Sequence, residues 1–347
     1  MACRLFDNAY RIDGIDEKEA NMSVKASIII PCFNTEETIA RSLREFCNQT
    51  VPPEHYQVIV IDDCSTDNTA AQIETVAQEP QITFLQNEQN SGPALTRNRG
   101  IDLAEGEIVI FADGDTIPCK NFVAMHIDTH QRYPDPFVGV MGAAAMPEDL
   151  EITPLMYLGN VVSTMQGHEF YDDDPYGWLN FSTLNVSLKR AFIGDTRFDD
   201  GSFKREAEED TELAGLEDAE FAQRLAQKGM RLVQNPEIRA FHYHFRSPEN
   251  YMTKVHEYGK RFALWMSLCS PEEAAELNKR LNYLIDRDNL FSMANVKELI
   301  RRGVVNDLTV PIIRAGGKFF ETRNEKLSLF LYNKLYKYLF LKGYNSR

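Results

Sequence analysis

Over the first third of the chain, short apolar β-branched runs alternate with stretches whose apolar residues recur at helical spacing. Ser27–Pro31 (SIIIP) reads as a strand, and Thr35–Asn48 as a helix with Ile39, Leu43 and Phe46 on one face. Gln57–Ile61 (QVIVI) predicts a second strand and Thr66–Ala77 a second helix. Ile82–Gln86 and Pro93–Leu103 repeat the pair, and Glu107–Phe111 adds a fourth strand. Such alternation predicts βαβ units and a parallel sheet covered on both faces. Ligands of these sheets sit at the carboxyl ends of the strands. Attention therefore falls on Cys32–Glu36, Asp62–Ser65, Asn87–Gly92 and Ala112–Asp115.

Beyond Pro136 the pattern loosens. Phe137–Ala145 predicts a further strand and Trp178–Leu188 a broken one. Asp199–Asp218 is acid-rich and its middle reads as a mobile loop, followed by a helix over Glu217–Lys228 that Gly229 stops. From Pro248 the chain reads as helical and charged. The expected organisation is an arm over 1–24, an α/β domain over 25–246 and a helical region over 247–347. His126 and His130 stand at i, i+4 without the glutamate of H-E-x-x-H, and are expected on a solvated helix face. Lys318–Arg347 holds seven Lys/Arg and two Glu, with Asn333, Lys334 and Lys337 on a narrow polar stripe. That tail has two readings: a helix packed on the domain or in a homo-oligomer, or an interfacial helix at a membrane.

Charge narrows the partners. With 37 Lys+Arg against 52 Asp+Glu, the net charge of −15 argues against nucleic acid. An anionic small ligand stays open, because a metal can reverse the local field. The six cysteines form no C-x-x-C pair, and four lie in or beside apolar runs, so they read as buried free thiols of a reducing compartment. The N-terminus lacks the apolar core of a signal peptide, and no run of 18 apolar residues occurs. The expected location is cytoplasmic, with the inner face of the membrane as its extension.

The candidate chemistry starts at VIFADGDTIP, where a buried strand runs into Asp113 and Asp115 with only Gly114 between them. A turn needs one acid, not two. Asp62 and Asp63 follow the second strand in the same way. The first strand ends PCFNTEE, with neither the G-x-G-x-x-G of a dinucleotide site nor a P-loop. Phosphates bound here would need another neutralising group, and Mn²⁺ or Mg²⁺ held by carboxylates supplies it. Without a cation the close acids repel. The plain alternative for a lone D-x-D is a solvated turn.

Taken together, IIIPCFNTEETIARSL, VIVIDDCSTDNT and NSGPALTRNRGIDLAEGEIVIFADGDTIP resemble the nucleotide-binding half of a family 2 glycosyltransferase. The resemblance covers roughly residues 25–246. It implies the GT-A fold, an αβα sandwich with a mostly parallel central sheet, with a nucleotide-binding half over 25–117 and an acceptor half over 118–246. By position it places Pro31, Phe33, Asn34 and Glu36 around the base and ribose, with Asp63 and Asp62 on the base. Gly92 and Arg97 fall to the nucleotide and its phosphates, while Arg99 points elsewhere. Asp113, with Gly114, falls to ribose or metal, and Asp115 becomes the main metal ligand. GLEDAEFAQRLAQKG resembles the family's Glu-Asp motif, which implies Asp218 as general base and Glu217 as an acceptor-orienting group. As acids in a first helical turn they also have a plain reading as capping charges. In RAFHYHFRS the resemblance points to a metal-completing histidine, His244 by preference, with His242 in reserve or on the acceptor side. Trp178 reads either as a sugar-stacking ring or as core. Glu206–Glu212 looks like extra length before the motif.

The implied reaction is inverting transfer of a sugar from a nucleotide-sugar, UDP-linked by expectation, to a hydroxyl of a glycan or glycolipid. A sugar nucleotidyltransferase would want a glycine- and lysine/arginine-rich loop after the first strand, which PCFNTEE lacks. A nonenzymatic nucleotide-sugar sensor or scaffold would have no need of a base.

Overall fold

The computed structural model describes residues 24–145, 147, 149, 153–155, 177–199, 216–243, 248–286 and 305–346. The chain divides into two compact units, Met1–Leu150 with Gly167–His244, and Glu151–Gln166 with Phe245–Arg347.

The first unit is built on a mixed, mostly parallel sheet with flanking helices. β1 (Ala26–Cys32), β2 (Tyr56–Asp62), β3 (Ile82–Gln86) and β4 (Ile108–Phe111) alternate with α1 (Ile39–Cys47), α2 (Thr69–Glu74) and α3 (Pro93–Leu103). β1 lies between β2 and β4, parallel to both, and is buried along its whole length. That double burial is why its sequence is continuously apolar rather than alternating. β3, at the sheet edge, is only half-buried. α3 has the bounds expected, but α1 and α2 begin later than Thr35 and Thr66. Asn34 adopts a left-handed conformation (φ 52°) and Thr35–Thr38 close a turn, so α1 starts at Ile39.

β5 (Thr116–Pro118), α4 (Phe122–Arg132), β6 (Val138–Ala145), a 3₁₀ turn (Gly177–Asn180), β7 (Val186–Lys189), α5 (Arg190–Ile193), α6 (Glu217–Gln227) and β8 (Arg231–His242) complete the unit. The strand order is β3-β2-β1-β4-β7-β6-β8-β5. β7 runs antiparallel to both β4 and β6, and β8 pairs parallel with β6 and antiparallel with β5. The β6–β8 register slips, so that Met141 faces Gln234 while Ala143 faces Arg239. Pro236 sits inside the slip, where it has no N–H to give a ladder. Beyond it, β8 realigns and sets His242 opposite Thr116 of β5.

Two expectations are corrected here. His126 and His130 face the core, not solvent. The His126 ring contacts Ser187 Oγ (2.8 Å) and Asn185 Oδ1 (3.1 Å), and His130 Nε2 contacts the same Ser187 Oγ (2.9 Å). Spacing of i, i+4 puts two residues on one face but does not say which way it points. Burial, with the neighbouring His130 adding, pushes His126 down to about 3, and burial with Lys189 does the same to His130. Of the five described cysteines, all carry free thiols, but only Cys32 is fully buried.

The second unit contains α7 (Pro248–Leu268), α8 (Pro271–Asp286), α9 (Val310–Phe320) and α10 (Glu325–Tyr344). α10 buries Tyr332, Leu335 and Phe340, and the Phe340 ring lies 5.6 Å from Phe262 of α7. α7 and α10 meet backbone to backbone at Gly259 and Gly343, where any Cβ would collide with a carbonyl. Lys337 is buried as well, while Asn333 and Lys334 of the expected polar stripe are half-buried.

Candidate active site

The carboxyl ends of β1, β2 and β4 form one cluster, as the sheet topology requires. Loops β1–α1 and β2–α2 are knitted together. The Asn34 N–H donates to Ser65 Oγ (2.9 Å), and the Thr66 N–H to Asn34 Oδ1 (2.9 Å). Glu36 accepts from the Asn68 backbone (2.9 Å) and side chain (2.8 Å). Pro31 is buried, Phe33 half-buried, and Asn34 and Glu36 exposed.

Asp62 is fully buried and accepts from Ser65 and from Gln86 Nε2 (2.9 Å). Asp63 holds the loop before α3, accepting from Asn87 Nδ2 (2.7 Å) and from the N–H groups of Ser91 (2.9 Å) and Gly92 (2.7 Å). Both acids therefore brace strand ends.

Asp113 and Asp115 flank the turn after β4. Gly114 is required between them, since a Cβ there would lie 2.9 Å from the Cys32 Cβ. Asp115 Oδ1 lies 3.3 Å from His242 Nε2, and the Tyr243 N–H donates to the Asp115 carbonyl (2.9 Å). Asp113, Asp115 and His242 each offer one ligand atom, all within 4.8 Å of one another. His244 lies outside the described residues, as do the acid-rich Glu206–Glu212 and residues 1–23 of the N-terminal arm. Tyr243 is anchored by Arg41, whose Nη2 donates to its hydroxyl (2.8 Å) and whose guanidinium lies 4.4 Å over its ring.

Arg97 joins this cluster to α6. Its guanidinium, 5% exposed, pairs with Asp113 (3.0 Å), Glu217 (3.2 Å) and Asp218 (3.5 Å). Burial works against its charge, but Asp218, Asp113 and Glu217 outweigh burial and hold it above the ordinary arginine range. An aromatic floor sets the geometry. Phe221 of α6 stacks on Phe198 (3.9 Å between centroids), and the Arg97 guanidinium sits 5.7 Å from the Phe198 ring. The Phe198 backbone is clasped at both N–H and carbonyl by the Asn98 side chain (2.7 and 2.8 Å).

Asp218 is gripped by Thr183, whose N–H donates at 2.9 Å and whose hydroxyl reaches both carboxylate oxygens (3.0 and 2.9 Å). Burial pushes the Asp218 carboxyl up to about 6 against the pull of Arg97, with the charge of Glu217 adding to the rise. Thr183 is a residue that sequence reasoning missed, because nothing in FSTLN marks a partner 35 residues away. Trp178 is 4% exposed within the 3₁₀ turn, so its ring offers little surface to a sugar.

Residues 27–182 match the family model described as "Glycosyl transferase family 2". Among curated relatives, the poly(ribitol-phosphate) β-N-acetylglucosaminyltransferase TarS of Staphylococcus aureus is 37% identical over 111 residues, 31% of this chain and 19% of TarS. The chain spans only 27% and 19% of the length of the first two curated relatives that it matches. Among solved structures, S. aureus TarS 1–349 in complex with UDP-GlcNAc superposes with a TM-score of 0.53 at 20% identity, covering 92% of this chain and 89% of that one. The mannosyltransferase PcManGT of Pyrobaculum calidifontis, in complex with GDP-Man and Mn²⁺, gives 0.60 at 16%, covering 94% and 88%. At such identities the superpositions speak for the fold, which is GT-A. The family match falls over the strand-end motifs, so residues 27–182 are similar to glycosyltransferase family 2.

Proposed function

We propose that the protein transfers a hexosyl or N-acetylhexosaminyl group from a nucleoside-diphosphate-sugar, UDP-linked, to a hydroxyl of a glycan or glycolipid, with inversion at the anomeric carbon. The observation that carries this reading is the Arg97 junction, where one buried cation holds the strand-end Asp113 beside Glu217 and Asp218. Donor-side and acceptor-side carboxylates thus share one fixed centre. The coarser reading, a nucleoside-diphosphate-sugar donor, is supported by the complexes of TarS with UDP-GlcNAc and of PcManGT with GDP-Man.

Asp113, Asp115 and His242 fit a divalent cation, since two carboxylate oxygens and an imidazole nitrogen lie within 4.8 Å of one another, and carboxylate oxygens are the hard donors such a cation takes. We assign them as the ligands of Mn²⁺ or Mg²⁺, which when bound would stabilise charge on the departing diphosphate. Pro31, Phe33, Asn34 and Glu36 would line the base and ribose pocket. Asp63, and Asp62 behind it, would fix that pocket through the Asn87–Gly92 loop. Asp218 would take the proton of the acceptor hydroxyl, and Glu217 would orient the acceptor. Work in the cytoplasm suits thiols without disulfide partners.

A carboxyl titrating near 6 is a usable base at neutral pH. Since the ionised form is the active one, kcat/KM should rise with pH through about 6 and level off above it. Asp218→Asn should leave UDP binding intact in calorimetry while lowering transfer by about 10²–10⁴-fold. Transfer at the wild-type rate would remove Asp218 from the role. Loss of UDP binding on adding chelator would support the metal assignment, and binding indifferent to chelator would overturn it.

A further inference from the structure

The basic tail has two sequence readings, a packed helix and an interfacial one. α10 takes the first, with Tyr332, Leu335 and Phe340 buried. The second belongs to its neighbour. We infer that the outer face of α9 seats the protein on an anionic lipid surface.

Leu308, Ile312 and Phe319 are 86%, 71% and 54% exposed. With the exposed Ala315 they recur at i, i+4, i+7 and i+11, which makes one stripe of a helix and of the turn leading into it. Phe330 of α10 is 52% exposed, so the four most exposed large apolar side chains among the described residues all fall within 308–330. Apolar groups scattered singly need no explanation, but a stripe does. α9 is not free to turn this stripe inward. Its Gly317 packs on the Tyr332 ring, and the Gly317 carbonyl accepts from Ser328 Oγ (2.8 Å).

Charge selects the occupant. Residues 305–346 carry seven Lys/Arg against three Asp/Glu, in a chain of net charge −15. Of those acids, Asp307 is taken by Lys342 (2.6 Å) and Tyr338 (2.9 Å), and Glu321 by the Tyr332 hydroxyl (2.6 Å). Lys318, Arg323 and Lys326 are exposed and have no carboxylate partner among the described residues. The Arg323 guanidinium lies 4.2 Å over the Phe319 ring, and Lys334 Nζ lies 5.0 Å from that of Phe330. Apolar side chains edged by cations whose stems can snorkel are what an anionic headgroup layer accepts. A second copy fits less well. Two-fold pairing would set cations against cations, and so few apolar side chains fall short of the ~800 Å² per partner of a stable interface.

The inference rests on the C-terminal unit and stands apart from the reaction proposed above. Its test is sedimentation of the full chain with vesicles of phosphatidylcholine alone and with about 30% phosphatidylglycerol. Because the whole protein is acidic, general attraction to anionic lipid is absent and any binding reports the patch. The expected result is partitioning at least about tenfold stronger onto the anionic vesicles, lost at high salt. Ile312→Ser with Phe319→Ser, and separately Lys318→Glu with Arg323→Glu, should each abolish it while circular dichroism stays unchanged. No binding to anionic vesicles overturns the inference, as does equal binding by both variants. So does a solution dimer that Ile312→Ser dissolves, because the face would then be an interface between copies.

Discussion

Arg97 meets three carboxylates with one positive charge, and it does so almost fully out of water. The local excess of negative charge explains why burial can raise Asp218 despite a guanidinium at 3.5 Å. Removing the cation while leaving the acids is the costly change. Arg97→Gln should destabilise the protein by about 3–5 kcal/mol, read as a shift of the urea midpoint. Arg97→Lys should recover only part of this, since an ammonium keeps the charge without the two-armed fork. A variant as stable as the wild type would mean that Arg97 is not what neutralises the three acids.

At the scale of the element, α4 carries the clearest pH signature. His126 and His130 titrate near 3 in the fold and near 6.5 unfolded. Between those values the unfolded chain binds more protons, so each histidine removes stability as pH falls, at up to about 1.4 kcal/mol per pH unit. Asp218, raised to about 6, acts the other way as pH falls toward 4. Two histidines against one aspartate leave a net loss on acidification. His126→Asn should therefore be less stable at pH 7 yet show a nearly flat urea midpoint between pH 6.5 and 4.5. An acid limb as steep as that of the wild type would show that His126 is not buried uncharged. The helix also illustrates how an element hides its orientation. Its histidines point at Ser187 and Asn185, on or just before a strand nearly sixty residues away.

For the whole molecule, the strand-end cluster should link ligand binding to stability. UDP with Mn²⁺ at a hundredfold excess over its dissociation constant should add about 2.7 kcal/mol, seen as a rise in Tm. Chelation should reverse the rise, and Asp115→Asn should abolish the metal-dependent part of it. An equal rise for wild type and variant would leave the fold standing and take Asp115 out of metal binding. The lipid-facing stripe of α9 belongs to this scale too, since its meaning comes from a basic segment set within an acidic chain.

The sequence by itself determined the alternating strands and helices of the first third of the chain and the strand-end acids. Burial on both faces writes itself into continuous apolar runs such as SIIIP and QVIVI, and the topology of βαβ units sends their carboxyl ends to one side. The grouping of Asp62, Asp63, Asp113 and Asp115 was legible on those grounds alone. β5, the register slip in β8 and the grip of Thr183 on Asp218 were not, because each pairs residues far apart in the chain without a local pattern. For the same reason only the tertiary structure could set His242 beside Asp115, turn His126 and His130 inward and close Arg97 among three acids. Periodicity fixes which residues share a face; which neighbour that face meets depends on strand order and packing, and these are decided by the chain as a whole.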